Sequence, residues 1–146
     1  MLVPVNERFS NDQAITASAA STNLMALGAI RNFAQGARPL YLVVQCTVAM
    51  TDGGSNSTVT VTVETDALAA FGSATTTQTL EVFAALSAIG ERRVVALGTA
   101  AANEAFLRLT YTVANDVLTT GSFTAFLTPD PQLYSAFAKN YTVSTS

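Results

Sequence analysis

LYLVVQCTVAM (residues 40–50) and TVTVTVE (residues 58–64) decide the fold class. In the second stretch Val59, Val61 and Val63 alternate strictly with Thr58, Thr60, Thr62 and Glu64. In the first, Leu42, Val44, Cys46, Val48 and Met50 share one parity, and Tyr41, Val43, Gln45, Thr47 and Ala49 the other. Successive side chains of a strand point to opposite faces, so a period of two with one apolar face marks a half-buried β-strand. Between them lies Thr51-Asp52-Gly53-Gly54-Ser55-Asn56-Ser57. Asp-Gly and Gly-Gly tolerate the positive φ of tight turns, so the two stretches are expected to form a hairpin.

The same period recurs outward from this pair. Ala105, Leu107, Leu109, Tyr111 and Val113 form an apolar face opposite Phe106, Arg108, Thr110 and Thr112. Asn115 to Gly121 reads as a turn, and Ser122 to Thr128 as the last strand, with Phe123, Ala125 and Leu127 on one side. Pro129 and Pro131 end it, since proline cannot donate to a ladder. Glu91 to Leu97 is a short strand between glycines. Thr75 to Ala85 has strand character, with Leu80 and Val82 on one parity. Gln13 to Thr16 and Asn23 to Leu27 read as two short strands, with Leu24, Met25 and Leu27 as anchors. About eight strands with no interleaved helical periodicity predict an all-β, antiparallel sandwich rather than a parallel βαβ sheet. The expected organisation is an N-terminal arm over 1–12, the sandwich over 13–129 and a C-terminal arm over 130–146.

A chain of 146 residues is one domain, long enough to bury a core without disulfides. Charged residues make up 12%, half the usual ~25%, and net charge is −3. There is no histidine and one cysteine, which removes His/Cys zinc sites, Ser-His-Asp and Cys-His catalysis, and CxxC redox chemistry. Seven Lys and Arg in total are too few for the clustered phosphate contacts of nucleic-acid binding. No apolar run reaches the ~18–20 residues of a membrane helix, and the early Glu7, Arg8, Asn11 and Asp12 do not read as a signal peptide. No cofactor, metal or catalytic residue is expected.

The remaining candidates are few. Glu64 and Asp66, two apart, could present two carboxylates on one strand face, but no third acid is near, and a solvated strand end is the favoured reading. Asp52, Asn56 and Ser57 do not match a calcium-loop spacing and read as a turn. Asn56-Ser57-Thr58 and Asn140-Tyr141-Thr142 match the glycosylation pattern, and chance accounts for both. Arg92 and Arg93, the adjacent basic pair, should point to opposite faces; one is expected to meet Glu91 or a neighbouring subunit at an interface. Tyr134, Phe137 and Tyr141 give the nearly uncharged C-terminal arm the character of a buried or docking segment, unlike a charged disordered tail.

From Glu104 to Gln132 the chain reads EAFLRLTYTVANDVLTTGSFTAFLTPDPQ. With DQAITASAASTNLMALG near the start, LYLVVQCTVAMTDGG and STVTVTVETD, this ordered set resembles the Bbp16-type capsid cement (decoration) proteins of tailed bacteriophages, over roughly residues 12 to 132. The resemblance implies a jelly-roll-like β-sandwich on the outer capsid surface of the virion. Its implied partner is the major capsid protein at capsomer junctions, with a homodimer as the working unit and reinforcement against internal DNA pressure as the role. It carries over no catalytic residue. The alternative is a carbohydrate-binding β-sandwich on a phage particle, against which the lack of tryptophan counts.

Overall fold

The computed structural model describes residues 8–26, 40–84, 86–97 and 104–129. Nine strands form among them: β1 (Arg8–Ala14), β2 (Ala19–Ala20), β3 (Met25–Ala26), β4 (Tyr41–Asp52), β5 (Thr58–Asp66), β6 (Thr75–Thr79), β7 (Arg92–Ala96), β8 (Phe106–Ala114) and β9 (Leu118–Thr128). One sheet has the order β1-β9-β4-β7, the other β2-β8-β5-β6, with β3 also on β8. All pairings are antiparallel. β2 pairs with Thr110 and Tyr111, and β3 with Phe106 and Leu107, so the two are halves of one broken edge strand. Counted so, the pairs nest: β5 with β6, β4 with β7, β2/β3 with β8, and β1 with β9. A long antiparallel hairpin folded over itself into two layers is the topology of a jelly roll.

The expected hairpin between residues 40–50 and 58–64 does not form. β4 and β5 lie in different sheets, and residues 53–57 cross from one layer to the other. The apolar parity of each strand says only that one face is buried. It cannot tell a hydrogen-bonded neighbour from the strand facing it across the core. Here Leu42, Val44 and Cys46 face Val59, Val61 and Val63 through the interior, and all six are fully buried. Burying such a side chain stabilises the fold by roughly 1.5–3 kcal/mol relative to leaving it in water. Asp52 closes the crossing. Its Oδ2 accepts from Asn56 N at 3.0 Å and Ser57 N at 2.6 Å, and from the Ser57 hydroxyl.

The interior is completed by Leu107, Leu109 and Tyr111 of β8 and Phe123, Ala125 and Leu127 of β9, at the expected parities. Phe123 meets Phe83 edge-on at 5.0 Å and Tyr111 at 5.5 Å between ring centroids. The Tyr111 hydroxyl donates to Ser10 Oγ at 2.9 Å inside the core. Burial pushes this phenol up to about 12. It pushes the Cys46 thiol up to about 11, with the Glu91 charge adding to the shift.

Four expectations shift. The first strand begins at Arg8, so residues 8–12, expected in the arm, belong to the sheet. Two register slips against β9, with Asp12 at φ 51°, break the period of two that would reveal it. β9 begins at Leu118, so the turn is only residues 115–117, and Gly121 lies inside the strand. A Cβ there would stand 3.5 Å from the Ile15 carbonyl, where the chain comes close enough for Ile15 N to bond Gly121 O at 2.9 Å. Val48 and Val82 are exposed because the chain slips beside each. The β4–β9 register shifts after Cys46, and the pairing with β5 slips by one residue between the Leu80–Val61 bond and the Val59–Phe83 bridge, so Leu80 and Phe83 both point inward. Leu24 is exposed and Met25 packs against the core, while Leu27 lies outside the described residues.

Candidate functional site

Each sheet has two edges, and the layers bring them together as two flanks. β1 and β2/β3 form one; β6 and β7 form the other. Open edges expose unpaired backbone groups that invite further strands. Here they are short, broken or occupied, so these strands present no long open edge for a second copy to cover. On the β1 flank, Gln13 Nε2 donates across the layers to Ala20 O at 2.8 Å, and its Oε1 accepts from Ser10 Oγ and Thr22 N, both at 2.8 Å. Asn23 adds bonds to the carbonyls of Phe9 and Arg8.

On the β7 flank, the bonds from Leu97 N to Leu40 O and from Cys46 N to Glu91 O set which residues face β4. Odd-numbered residues pair inward, so Arg92, Val94 and Ala96 turn their backbone groups outward. Gln78 of β6 donates to Ala96 O at 3.0 Å, and Arg93 Nη1 to Arg92 O at 3.0 Å. Arg93 Nη2 reaches Val82 O at 3.1 Å. One glutamine and one arginine thus tie the two edges together.

Arg92 stands opposite Gln45, on the outer face, and Arg93 opposite Val44, on the core side, which is the two-faced arrangement expected. Arg93 lies over the Phe83 ring, its guanidinium carbon 4.6 Å from the centroid. It approaches Glu91 at 3.7 Å and Glu81 at 3.9 Å, so the pairing expected with Glu91 is made within the chain. Such partly exposed contacts contribute ~0.5–1 kcal/mol each. The hollow beside them, lined by Leu80, Glu81, Arg92, Arg93 and Val94, holds about 150 Å³. That is well below the ~300–1,000 Å³ of small-molecule sites.

Apolar exposure concentrates here. Val82 (40%), Leu86 (55%), Ile89 (51%) and Val94 (44%) all stand open to solvent between residues 82 and 94. The bonds Gly90 N to Cys46 O at 2.8 Å and Met50 N to Ser87 O at 3.0 Å hold this segment along β4 beyond the end of β7, beside the stretch carrying exposed Val48. Sequence reading missed Leu86 and Ile89, which belong to no periodic run. It missed Phe83 as the platform for Arg93, because the slip after Thr79 reverses the parity there.

The other candidates are absorbed by structure. Both Arg108 Nη2 (2.8 Å) and Nε (2.9 Å) meet Glu64 Oε2, and Arg108 stacks on Phe71 at 4.3 Å. Asp66 is buried and accepts from Leu68 N at 2.9 Å and Ser73 N at 2.8 Å, which hold its carboxyl below the usual range. Asp52 is lowered likewise, chiefly by the Ser57 hydroxyl. These acids serve as caps and a cross-strand pair. A second hollow, about 380 Å³ between residues 17–18 and 113–117, is lined by Val113, Asn115, Asp116 and Val117, with no aromatic ring among the described residues that line it. It lacks the platform that a sugar site would offer. Tyr134, Phe137 and Tyr141 lie outside the described residues.

No curated protein matches the chain at a significant level. The model of the Bbp16 family matches residues 9–127, from the second residue of β1 to the last but one of β9. The chain therefore belongs to the Bbp16 family, which marks it as a bacteriophage protein.

Proposed function

We propose that this Bbp16-family chain is a capsid cement protein. It binds the outer surface of the major capsid protein shell at capsomer junctions and stabilises the shell against internal DNA pressure. The observation that supports the reading best is the span of the family match, which covers both layers of the sandwich from Phe9 to Leu127. The physical character of the molecule suits the role. A ligand that binds one state of an assembly stabilises that state by mass action, and it does so with least loss when it is already rigid. Here the flanks are tied by side-chain bonds, and no hinge is needed for the task.

The chain acts without catalysis or cofactor, and as a homodimer. With its edges occupied, the two-fold contact falls to faces and loops. Electron cryomicroscopy of the particle should show two-layered β density outside the shell at capsomer junctions, in two-fold pairs. Particles made without the chain should release DNA at lower temperature, and adding the purified chain should restore the wild-type value. Density at the tail, or no change in thermal release, would overturn the reading.

A further inference from the structure

Among the described residues, Leu86 is the exposed large apolar side chain that also has a left-handed backbone. It stands 55% exposed, and its backbone is left-handed at φ 60°. Glycine takes that conformation without penalty, whereas a side chain with a Cβ is strained in it. Among the described residues, neither packing nor backbone geometry accounts for a leucine here. Strain of this kind persists where the surroundings over-determine it, and it gathers at binding surfaces. Ile89, three residues on, is 51% exposed, and Val82 and Val94, at 40% and 44%, stand further along the same flank. Within residues 8–26 of the opposite flank the exposed apolar side chain of this size is Leu24; Leu68 and Val117, each 68% exposed, lie in the β5–β6 and β8–β9 connections.

We propose that this ridge of Val82, Leu86, Ile89 and Val94 is the surface that seats on the capsid shell, by insertion of side chains into an apolar depression of the major capsid protein and not by strand addition. The inference rests on the cement reading above. Strand addition is disfavoured because Arg93 and Gln78 occupy the Arg92 and Ala96 carbonyls of the β7 edge. The charge of the ridge selects its partner. Arg93 is met by Glu91 and Glu81, so the ridge is close to neutral around its apolar centre and fits a neutral, apolar seat. Area separates the shell from a second copy of this chain. The four side chains expose on the order of 350 Å², less than half of the ~800 Å² per partner that a stable two-body interface buries. A patch of that size holds when it is one of several contacts made together, as on a shell, where each added contact is effectively intramolecular.

The test uses full-length chain and purified shells assembled without it. Leu86→Gly removes the side chain and the strain together, so it should melt no lower than wild type. Combined with Ile89→Asp it should reduce shell occupancy at least tenfold at a concentration that saturates wild type. Leu24→Asp, on the other flank, should bind as wild type. If the double variant does not fold, Leu86→Gly alone carries the test, with a smaller but measurable loss of occupancy. Undiminished occupancy in the ridge variants overturns the ridge while wild-type binding keeps the cement reading. Failure of wild type to bind shells overturns both. Loss of self-association in sedimentation with unchanged occupancy shows a self-contact and also overturns the proposal.

Discussion

The two flanks of the sandwich solve one problem with the same bond and differ in everything around it. On each, a glutamine of one layer donates to an alanine carbonyl of the other: Gln13 to Ala20, and Gln78 to Ala96. Around Gln13 the neighbours are Ser10, Thr22 and Asn23, all bonded within the chain. Around Gln78 they are an arginine laid on a ring and a row of apolar side chains left in water. Closing a flank and presenting a surface are therefore separate tasks. The β1 flank does the first; the β7 flank does both.

The comparison can be broken most forcefully at Phe83. It is fully buried beneath Arg93 and against Phe123. Phe83→Ala should cost about 3–5 kcal/mol in urea unfolding, whereas Leu24→Ala on the other flank should stay within about 0.5 kcal/mol. Similar losses would mean that the β7 flank has no core beneath it. Next come the glutamines. Gln13→Ala leaves the buried Ser10 hydroxyl with Tyr111 alone and should cost about 1–3 kcal/mol. Gln78→Ala gives up one solvent-accessible bond, about 0.5–1.5 kcal/mol. The reverse order, measured the same way, would exchange the roles of the two flanks. Arg93→Lys keeps the charge but loses the planar fork that spans two carbonyls and the ring, so a loss of about 0.5–1 kcal/mol is expected, nearly independent of salt.

The smallest effect is acid sensitivity at the β5–β6 connection. Asp66 titrates below its ordinary 3.8 because Leu68 and Ser73 donate to it. A carboxyl depressed in the folded state contributes stability that is fully present above that ordinary value and is lost as pH falls below it. Asp66→Asn should therefore be less stable than wild type at neutral pH, and the gap should narrow as pH falls through 3.8 and below. A gap that stays constant with pH would exclude the linkage.

Strand parity can be read from sequence to the end where the ladder stays in register. Val59, Val61 and Val63 oppose Val113, Tyr111 and Leu109 without a slip, and β5 and β8 follow the expected parities throughout. β1 was hidden because its two slips leave Phe9 and Ser10 adjacent and both buried. The layer change after Asp52 was hidden for a different reason. Alternation reports burial of a face, not which strand lies beside it. At the flank, the Arg93–Glu91 approach follows from proximity in sequence, whereas its seat on Phe83 depends on the slip after Thr79. Leu86 and Ile89 of the ridge had no periodic signal; their mark is the reverse, apolar residues where nothing in the pattern requires them.

The nesting of the strands bears on how the chain is made. β9 is the inner neighbour of both β1 and β4. It is also the last of the described strands, and it bonds residues more than a hundred positions away, Arg8 opposite Phe126 among them. A growing chain must therefore carry β4 with one side unpaired until residues 118–128 leave the ribosome. Pairings so distant in sequence are slow, on the order of milliseconds to seconds for β-sandwiches, and an unpaired central strand is open to wrong partners meanwhile. A chain shortened within β9 should aggregate rather than give a smaller sandwich, and high expression should depend on dilution or chaperones in a way that the finished molecule does not.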